Sequence, residues 1–397
     1  MHNALMQAST RDTPPMLSDT ASYQNTEEAR ELVDFGRKVF KHCGLDSPLL
    51  AMSRKRLQEN VDRFRKAMPS IHPHYAVKAN PDEKVLSVLH DAGAGFEIAS
   101  RQELQSLLKL GVDGADLYYS NPIKTPAFIR AAADAGVRWY VVDSVEEITK
   151  IHAIVPDAKL YIRLSVSNKG SNWPLSGKFG VTEEGVMPLL SAAIERNMTV
   201  NGVSFHVGSQ CTHVENWAEA IRSARRVFGL LEKAGFKPEL LNLGGGFPVQ
   251  MVGNEPTIEE IAESINAEIA DLPASIKVVA EPGRYFVASA GCLVTQVVGT
   301  ATRGQQPWCY LDCGLYSGLM EIVENLPYHF YSDTQGETVN WTIAGPTCDS
   351  IDVLVKSYPL PQSVGVGDSI YIPYTGAYCH ATGGAFNGFP VPEVVVL

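Results

Sequence analysis

The sequence predicts an α/β fold, a TIM-like (β/α)8 barrel with a second, mostly antiparallel β domain. Two observations predict it. Between residues 74 and 280, eight short apolar runs alternate with segments of helical periodicity. After residue 281 this alternation stops, and β-rich segments follow with dense glycine and proline between them. Eight βα units in roughly 200 residues are typical of a barrel, and a doubly wound sheet is the alternative architecture.

The segment before the barrel has three parts. Residues 1–26 are polar and contain two adjacent prolines, which predicts a mobile leader. Residues 26–42 and 54–68 have the apolar spacing of amphipathic helices, and the run at 48–52 between them predicts a strand. We expect the helix and strand within residues 27–52 to pack with the β domain.

The barrel is predicted over residues 53–281 and the β domain over residues 282–397. The predicted barrel strands are residues 74–77, 96–99, 117–119, 139–142, 160–164, 202–206, 240–243 and 277–280. The predicted helices between them are residues 83–90, 102–110, 126–135, 145–154, 184–195, 217–234 and 258–269. The predicted strands of the second domain are residues 287–300, 308–311, 338–343, 369–372 and 391–396.

Composition narrows the class of function. The net charge of -11 argues against broad binding of nucleic acid or of an anionic membrane, because both need a basic patch. The chain contains no apolar run of membrane-spanning length and no apolar stretch near its start of the kind a secretory signal has. Its seven cysteines show no metal-ligand spacing, so we predict free thiols, no metal site and a cytoplasmic location.

Several chemically diverse residues fall at the carboxyl ends of the predicted barrel strands, where barrels place their chemistry. They are Lys78, Glu97, Asn121, Arg163, His206, the glycines at 244–246 and Glu281. Random placement would scatter such groups, so the sequence predicts one site at this rim.

Lys78 is the centre of the predicted site. A lysine at the end of a buried strand loses hydration, which lowers its pKa and makes its amine a nucleophile suited to pyridoxal phosphate. The simpler alternative is a lysine whose ammonium reaches water.

The other rim residues suit the remaining parts of that cofactor. The glycines at 244–246 let backbone amides approach a phosphate, although a tight turn is their simpler explanation. Glu281 can keep a pyridine nitrogen protonated, or it can pair with Arg284. Arg284 and Ser209 can bind a phosphate. The imidazole of His206 can stack on a ring, although a strand-end histidine is more often a satisfied core residue.

Seven motifs in one order resemble the eukaryotic-type ornithine and lysine decarboxylases, which are fold-type III pyridoxal phosphate enzymes related to alanine racemase. The resemblance covers the chain from about Pro48 to its end. The motifs are YAVKAN around Lys78, FEIAS at 96–100, SFHVGSQ around His206, LGGGFP at 243–248, EPGR from Glu281, GPTCDS around Cys348, and GAY with FNGF at 376–389.

The resemblance implies roles for this chain's matching residues. Lys78 would carry pyridoxal 5'-phosphate covalently, His206 would stack on its ring and Glu281 would bind its pyridine nitrogen. Arg163 and Glu97 would lie close to the cofactor. The phosphate would be bound by the residues that match the family's phosphate site, namely Ser209, Gly245, Gly246, Gly283, Arg284 and Tyr378.

The resemblance also implies a homodimer with shared active sites. Cys348, in the β domain, would return a proton to the substrate's α-carbon in the partner's site. Asp349, Glu324 and Phe386 would contact the substrate. The implied reaction is decarboxylation of a diamino acid in polyamine biosynthesis, with ornithine giving putrescine as the leading case and lysine giving cadaverine as the second.

Two departures from the family pattern leave the substrate open. Ornithine decarboxylases usually have aspartate where this chain has Glu97. The segment at 318–325 places either Glu324 or Asn325 where the family has an acid for the substrate's distal amine, and an asparagine there would weaken selection for a cation.

Other functions are weighed against this one. Diaminopimelate decarboxylase, a decarboxylase of an unusual diamino acid, and an alanine-racemase-like cofactor-binding protein are the enzymatic or cofactor-binding alternatives. A catalytically dead regulatory homologue is the alternative from another class. The retained Lys78 and phosphate-binding residues argue against the dead homologue.

Overall fold

Helix α1 (Glu27–Cys43) begins the part of the chain that the computed structural model describes, residues 27–397. The predicted leader at 1–26 lies outside the described residues. Strand β1 (Leu49–Met52) and helix α2 (Arg54–Ala67) follow, within a residue or two of their predicted bounds.

Eight parallel strands close into a barrel, which confirms the predicted fold class. The strands of the barrel region are β2 (Ile71–Ala76), β3 (Gly95–Ile98), β4 (Tyr118–Tyr119), β5 (Trp139–Val142), β6 (Lys159–Leu164), β8 (Thr199–Phe205), β10 (Leu240–Asn242) and β11 (Lys277–Ala280). Two further short strands, β7 (Ser171–Trp173) and β9 (Ser209–Cys211), form a separate antiparallel pair. The ring runs β10-β11-β2-β3-β4-β5-β6-β8 and closes because β8 pairs with both β6 and β10. This closure excludes the doubly wound sheet.

Seven further helices lie between the barrel strands. They are α3 (Glu83–Asp91), α4 (Arg101–Lys109), α5 (Pro126–Asp134), α6 (Val145–His152), α7 (Val186–Glu195), α8 (Glu215–Lys233) and α9 (Ile258–Ile269). Most of them begin where a Ser, Thr or Asp side chain accepts a hydrogen bond from a backbone N–H of the first turn, as Ser100 does for α4 and Thr257 for α9. These caps fix the residue at which the loop ends and the helix begins.

The second sheet is mostly antiparallel, as predicted. Its strands are β12 (Gly291–Arg303), β13 (Gln306–Leu311), β14 (Tyr331–Ser332), β15 (Thr338–Ala344), β16 (Val353–Pro361), β17 (Ser369–Pro373) and β18 (Glu393–Val396). Strand β1 joins this sheet, antiparallel to β12 and parallel to β18. Helix α1 covers it through a small apolar cluster that includes Val33, Val39 and Cys292.

Two differences from the predicted strands have physical reasons. Strand β16 was not predicted because Pro359 and Pro361 interrupt its pattern, but it pairs with β15 alone at the edge of the sheet, where proline is tolerated. Strand β12 begins at Gly291 rather than at residue 287, because residues 284–287 form the short helix α10 (Arg284–Val287) directly after the barrel. No helix among residues 27–397 is long and apolar enough to cross a membrane.

Candidate active site

A cleft with about 290 Å³ of open space lies at the carboxyl ends of the barrel strands. Nine of the predicted site residues line it, together with Ala76 and Phe247. The nine are Lys78, His206, Ser209, Gly245, Gly246, Glu281, Gly283, Arg284 and Tyr378. The fold therefore brings together residues from the ends of four barrel strands, from the start of the second domain's chain segment and, with Tyr378, from the loop after its strand β17.

Lys78 and Glu97 form an ion pair at the base of this cleft. Lys78 lies in a 3-10 turn, Val77–Ala79, directly after β2, and its Nζ donates to Oε1 of Glu97 at 2.6 Å. The Lys78 side chain is 41% exposed, whereas that of Glu97 is 1% exposed. Loss of hydration lowers the pKa of Lys78, but the carboxylates of Glu97 and Glu281 outweigh it and raise that pKa above its usual value. The expectation that burial would lower the pKa of Lys78 is wrong because of this carboxylate.

In the same ion pair, the pKa of Glu97 is shifted in the direction that disfavours its charged form. Burial raises the pKa of its carboxyl to about 7, although the Lys78 ammonium lowers it. Its second oxygen, Oε2, is buried and has no hydrogen-bond partner among the described residues. Because the pKa of the Lys78 amine lies above its usual value and that of Glu97 is about 7, the shared proton stays on the lysine.

Neutral donors, and not Arg284, hold the carboxylate of Glu281 in the cleft wall. Oε1 accepts hydrogen bonds from Nδ2 of Asn242 at 2.6 Å and from the hydroxyl of Ser120. The pairing of Glu281 with Arg284 that the sequence left open is absent from the described part of the chain, where the arginine binds Glu321 instead. Hydrogen bonds from neutral groups leave the negative charge of Glu281 available to a cationic partner.

His206 follows β8 and is held as a neutral imidazole. Its Nδ1 accepts the backbone N–H of Gly208 at 3.0 Å, which leaves the proton on Nε2. Loss of hydration lowers the pKa of His206 well below its usual value, and Arg163 and Lys78 add to this. Arg163 ends β6 beside the site, where its guanidinium lies 5.6 Å from the ring centre of Phe179. A neutral, flat ring is the form of histidine that can lie against another aromatic ring.

The glycines at 244–246, directly after β10, form a backbone cradle in which side chains larger than that of glycine do not fit. At Gly246, φ is +96°, and a Cβ would lie 2.4 Å from the carbonyl oxygen of Gly208. At Gly244, φ is +61°, and a Cβ would lie 2.0 Å from the carbonyl oxygen of Phe205. Because glycine has no side chain to cover the backbone, a small anion can reach the peptide N–H groups directly.

Arg284 and Tyr378 complete the cradle. Nη2 of Arg284 lies 3.3 Å from Oγ of Ser209, and its guanidinium lies 5.2 Å from the ring centre of Tyr378. Tyr378 has φ of +53°, an uncommon backbone conformation for an aromatic residue, and its N–H donates to the carbonyl of Ala79 at 2.8 Å. This bond ties the second domain to the turn that carries Lys78.

A second cleft of about 180 Å³ adjoins the first. It is lined by Asn172, Trp173, Ser209, Gln210, Arg284, Glu321, Glu324 and Leu326. Pairing of β7 with β9 holds Trp173 opposite Ser209. Glu324 lines this cleft at the end of a 3-10 segment, Met320–Glu324, whereas Asn325 turns the chain with a left-handed φ of 60°.

Cys348, Asp349 and Phe386 lie together in the second domain. The N–H of Cys348 donates to Oδ1 of Asn387 at 3.0 Å, and the hydroxyl of Tyr316 donates to Oδ2 of Asp349 at 2.5 Å. Phe386 packs on the Tyr316 ring, with centroids 4.6 Å apart. Within residues 27–397, neither cleft is lined by any of these three predicted residues.

Sequence reasoning missed several residues of the site. Ser120, one position before the predicted Asn121, reaches Glu281, whereas Nδ2 of Asn121 donates locally to the carbonyl of Ile123. The rim position was found, but not the side chain that faces inward. Asn242 precedes the glycine run, so its place was visible but its direction was not. Glu321 carried no signal at all, because its partner Arg284 lies 37 positions away.

The residues of the first cleft fit pyridoxal phosphate. An amine at Lys78, a carboxylate at Glu281 and a cradle of glycine N–H groups with Arg284 match the aldehyde, the ring nitrogen and the phosphate of that cofactor. The buried Nε of Arg284, which has no hydrogen-bond partner among the described residues, is one further donor at the phosphate end.

Comparison with known proteins agrees with this donor set. The family described as "Pyridoxal-dependent decarboxylase, pyridoxal binding domain" matches residues 54–288. The lysine/ornithine decarboxylase of Selenomonas ruminantium is 37% identical over 356 residues, which cover 89% of this chain and 90% of that protein.

Two solved structures show the same architecture. The lysine/ornithine decarboxylase of Vibrio vulnificus, complexed with putrescine, has a TM-score of 0.84 and 32% identity over 92% of this chain and 98% of its own. The arginine decarboxylase of Paramecium bursaria Chlorella virus, bound to agmatine, has a TM-score of 0.87 and 29% identity over 92% of this chain and 100% of its own.

Proposed function

The chain belongs to the pyridoxal-dependent decarboxylases, and on this premise we propose that it removes the α-carboxylate of a diamino acid, ornithine first and lysine second. The protein is a pyridoxal 5'-phosphate enzyme. The observation that carries the proposal is the single cleft in which Lys78, His206, Glu281 and Arg284 meet. An amine, an imidazole, a carboxylate and a phosphate cradle converge there around a space of cofactor size.

Each residue has a defined task in this proposal. Bound pyridoxal phosphate supplies an electron sink for the pair left on the α-carbon when CO2 departs. The amine of Lys78 would hold the aldehyde, and Glu97 holds that amine in place by the contact at 2.6 Å. Glu281 keeps the ring nitrogen protonated, and the neutral imidazole of His206 covers one face of the ring.

The phosphate-binding residues fix the cofactor's other end. They are Ser209, Gly245, Gly246, Gly283, Arg284 and Tyr378. Anchoring at both ends would restrict rotation of the cofactor ring. The bond to the departing carboxylate could then be held at a constant angle to that ring. Arg163, which interacts electrostatically with Glu281, would add positive charge near the cofactor.

The substrate proposal rests on the second cleft. Glu324 offers a carboxylate there, and the indole of Trp173 offers a face that attracts cations, so the cleft suits a distal ammonium. The same acid could accept a guanidinium, which makes arginine the comparison substrate. Diaminopimelate needs a site for a second carboxylate, and two glutamates line this cleft.

We also propose a homodimer in which the partner subunit supplies Cys348, Asp349 and Phe386. Two facts support this: the thiol of Cys348 is exposed, and these three residues lie away from the clefts of their own chain. The thiol would deliver a proton to the α-carbon, and Asp349 would contact the distal amine together with Glu324. All seven cysteines are free thiols, which supports a reducing, cytoplasmic location.

One experiment tests the reaction and its substrate together. The purified enzyme with pyridoxal phosphate is given ornithine, lysine, arginine or diaminopimelate, and CO2 and amine products are measured. We expect the highest kcat/KM for ornithine, a lower value for lysine, and little release from the others. Release from diaminopimelate alone would overturn the substrate proposal, and no release with a fully loaded cofactor would favour a dead homologue.

A further inference from the structure

Arg284 and Glu321 form a buried ion pair in the wall between the two clefts. Nη1 of Arg284 donates to Oε2 of Glu321 at 2.9 Å, and Nη2 donates to Oε1. The two residues are 4% and 7% exposed. The hydroxyl of Tyr328 donates to Oε2 at 3.2 Å, so the carboxylate is fixed from a second side. Such a two-point contact sets the plane of the guanidinium as well as its position.

The guanidinium faces the phosphate cradle with its remaining donors. Arg284 lines both clefts, contacts Oγ of Ser209 and lies over Tyr378. Its Nε is buried without a hydrogen-bond partner among the described residues. The carboxylate of Glu321 thus holds the arginine, whose remaining N–H groups can donate to a phosphate in the cradle.

We infer that Glu321 is the resident counter-charge of Arg284 and that it competes with the cofactor's phosphate for the guanidinium. The inference rests on the proposed role of the cradle in phosphate binding. Removing one partner of a buried ion pair leaves an uncompensated charge, which strongly destabilises the fold. A phosphate bound in the cradle would then supply the missing negative charge. A variant without the Glu321 carboxylate should therefore be less stable and bind phosphate more tightly.

This role also links the two clefts. Glu321 and Glu324 lie on the same 3-10 segment, Met320–Glu324, so one segment carries both the residue that holds the phosphate-binding arginine and the residue offered to the substrate's distal amine. Glu321 is a positioning residue in this scheme, because it acts through Arg284.

The test measures anion affinity and needs no substrate. Inorganic phosphate, pyridoxal 5'-phosphate and pyridoxal, which lacks the phosphate, are titrated into wild type and Glu321→Gln. We expect Glu321→Gln to bind the two phosphate ligands about fivefold more tightly or better, with unchanged binding of pyridoxal. We also expect a lower melting temperature that phosphate restores more than in wild type. Equal or weaker phosphate affinity would overturn the inference, because a merely structural glutamate would give that result.

Further variants keep the test decisive if Glu321→Gln folds poorly. Glu321→Asp keeps the charge but loosens the two-point contact, so its phosphate affinity should lie between wild type and the predicted gain; wild-type affinity would contradict the inference. The double variant with Arg284→Gln should be more stable than Glu321→Gln alone, since no unpaired charge remains. Tyr328→Phe, the matched control, leaves the ion pair intact and should leave phosphate affinity unchanged; a gain there would count against the inference.

These outcomes are separable from those of the proposed reaction. If the enzyme released no CO2 from any diamino acid, the phosphate titrations would still report whether Glu321 competes for Arg284. If the titrations showed no competition, the decarboxylation of ornithine could still be measured and the proposed reaction would stand.

Discussion

The ammonium of Lys78 lies 2.6 Å from Oε1 of Glu97, and the lysine side chain is 41% exposed whereas that of the glutamate is 1% exposed. The pKa shifts of these two residues matter for the reactivity of the lysine. The glutamate raises the pKa of the lysine, while its own pKa is raised to about 7 by burial. The ion pair therefore favours the protonated form of Lys78, which is not the nucleophile.

Glu97→Gln should make the amine of Lys78 reactive at lower pH. Without the carboxylate, loss of hydration remains the dominant influence and lowers the pKa of Lys78. The rate at which pyridoxal phosphate gives its visible absorbance on binding should therefore rise at a lower pH midpoint than in wild type. Glu97→Asp is the matched control, because it keeps the charge and should keep the wild-type midpoint. The same midpoint in Glu97→Gln would show that Glu97 does not govern the lysine.

Gly246→Ala should lose cofactor affinity well beyond any backbone cost. The Cβ would lie 2.4 Å from the carbonyl oxygen of Gly208, so the cradle must open to accept it. Gly253→Ala is a matched control, because Gly253 has φ of +83° with no atom within 4 Å of the added Cβ. Both substitutions carry the left-handed backbone cost of about 1–2 kcal/mol.

The two glycine variants are compared by thermal unfolding and by fluorescence titration of the cofactor. We expect both variants to lose melting temperature from the backbone term, Gly246→Ala to lose more because of its contact with Gly208, and only Gly246→Ala to lose affinity. Wild-type cofactor affinity in Gly246→Ala would remove the glycine cradle from the phosphate site.

Lys78→Arg should abolish turnover while keeping the charge opposite Glu97. Arginine keeps a cation beside that carboxylate but stays protonated, so it cannot hold an aldehyde covalently. Borohydride should then fix no cofactor to the protein, as mass spectrometry of the intact chain would show. Lys78→Ala should give the same loss with lower stability, because Glu97 is left buried without a cation. Retained turnover in either variant would refute the assignment of Lys78.

The barrel was predictable because its elements repeat. Eight apolar runs with helical patterns between them identify strands whose ends share one rim, whatever their exact bounds. Rim residues such as Lys78, His206 and Glu281 follow directly, because each stands at or just after a strand end in the sequence. Arg284 follows Glu281 by three positions and was predicted with it, whereas the ordered motifs supplied Tyr378.

Pairings across the chain were not predictable. The sequence showed a carboxylate at Glu281 and an arginine at Arg284, three positions apart, but their distinct partners are set by three-dimensional packing. The sign of the Lys78 pKa shift depended likewise on the distance to Glu97, which lies on the neighbouring strand. Periodicity reports which residues are inside, and not which charges meet there.

Cys348→Ala should slow amine formation strongly, or divert the reaction to decarboxylation with transamination, while cofactor binding persists. The thiol is the proposed proton donor to the α-carbon, and it lies outside the clefts of its own chain. Cys43→Ala, at a half-buried free thiol on α1, is the control and should leave product formation unchanged. An unchanged product rate in Cys348→Ala would show that another group delivers the proton.

Mixing the inactive variants tests the shared site directly. Lys78→Ala and Cys348→Ala chains, exchanged in equal amounts, should recover roughly a quarter of wild-type activity, since half of the dimers then contain one site with both residues intact. No recovery, with chain exchange demonstrated by mass, would place Lys78 and Cys348 in the same subunit's site.

His74→Gln should flatten the loss of stability at acidic pH. His74 lies buried on β2, where loss of hydration lowers its pKa to about 3 from an ordinary value near 6.5. Below pH 6.5 the unfolded chain therefore binds a proton that the folded chain refuses, and stability falls as pH falls towards 3. One such group contributes up to about 1.4 kcal/mol per pH unit to that slope.

The slope is measured by urea unfolding between pH 4 and pH 7. His206, whose pKa is also lowered, adds a second proton of the same sign, so His74→Gln should reduce the slope without removing it. His42→Gln, a histidine substitution on the exposed surface of α1, is the matched control. If His74→Gln keeps the wild-type slope while lowering stability at every pH, then the histidine acts through packing on Tyr118 and not through its proton.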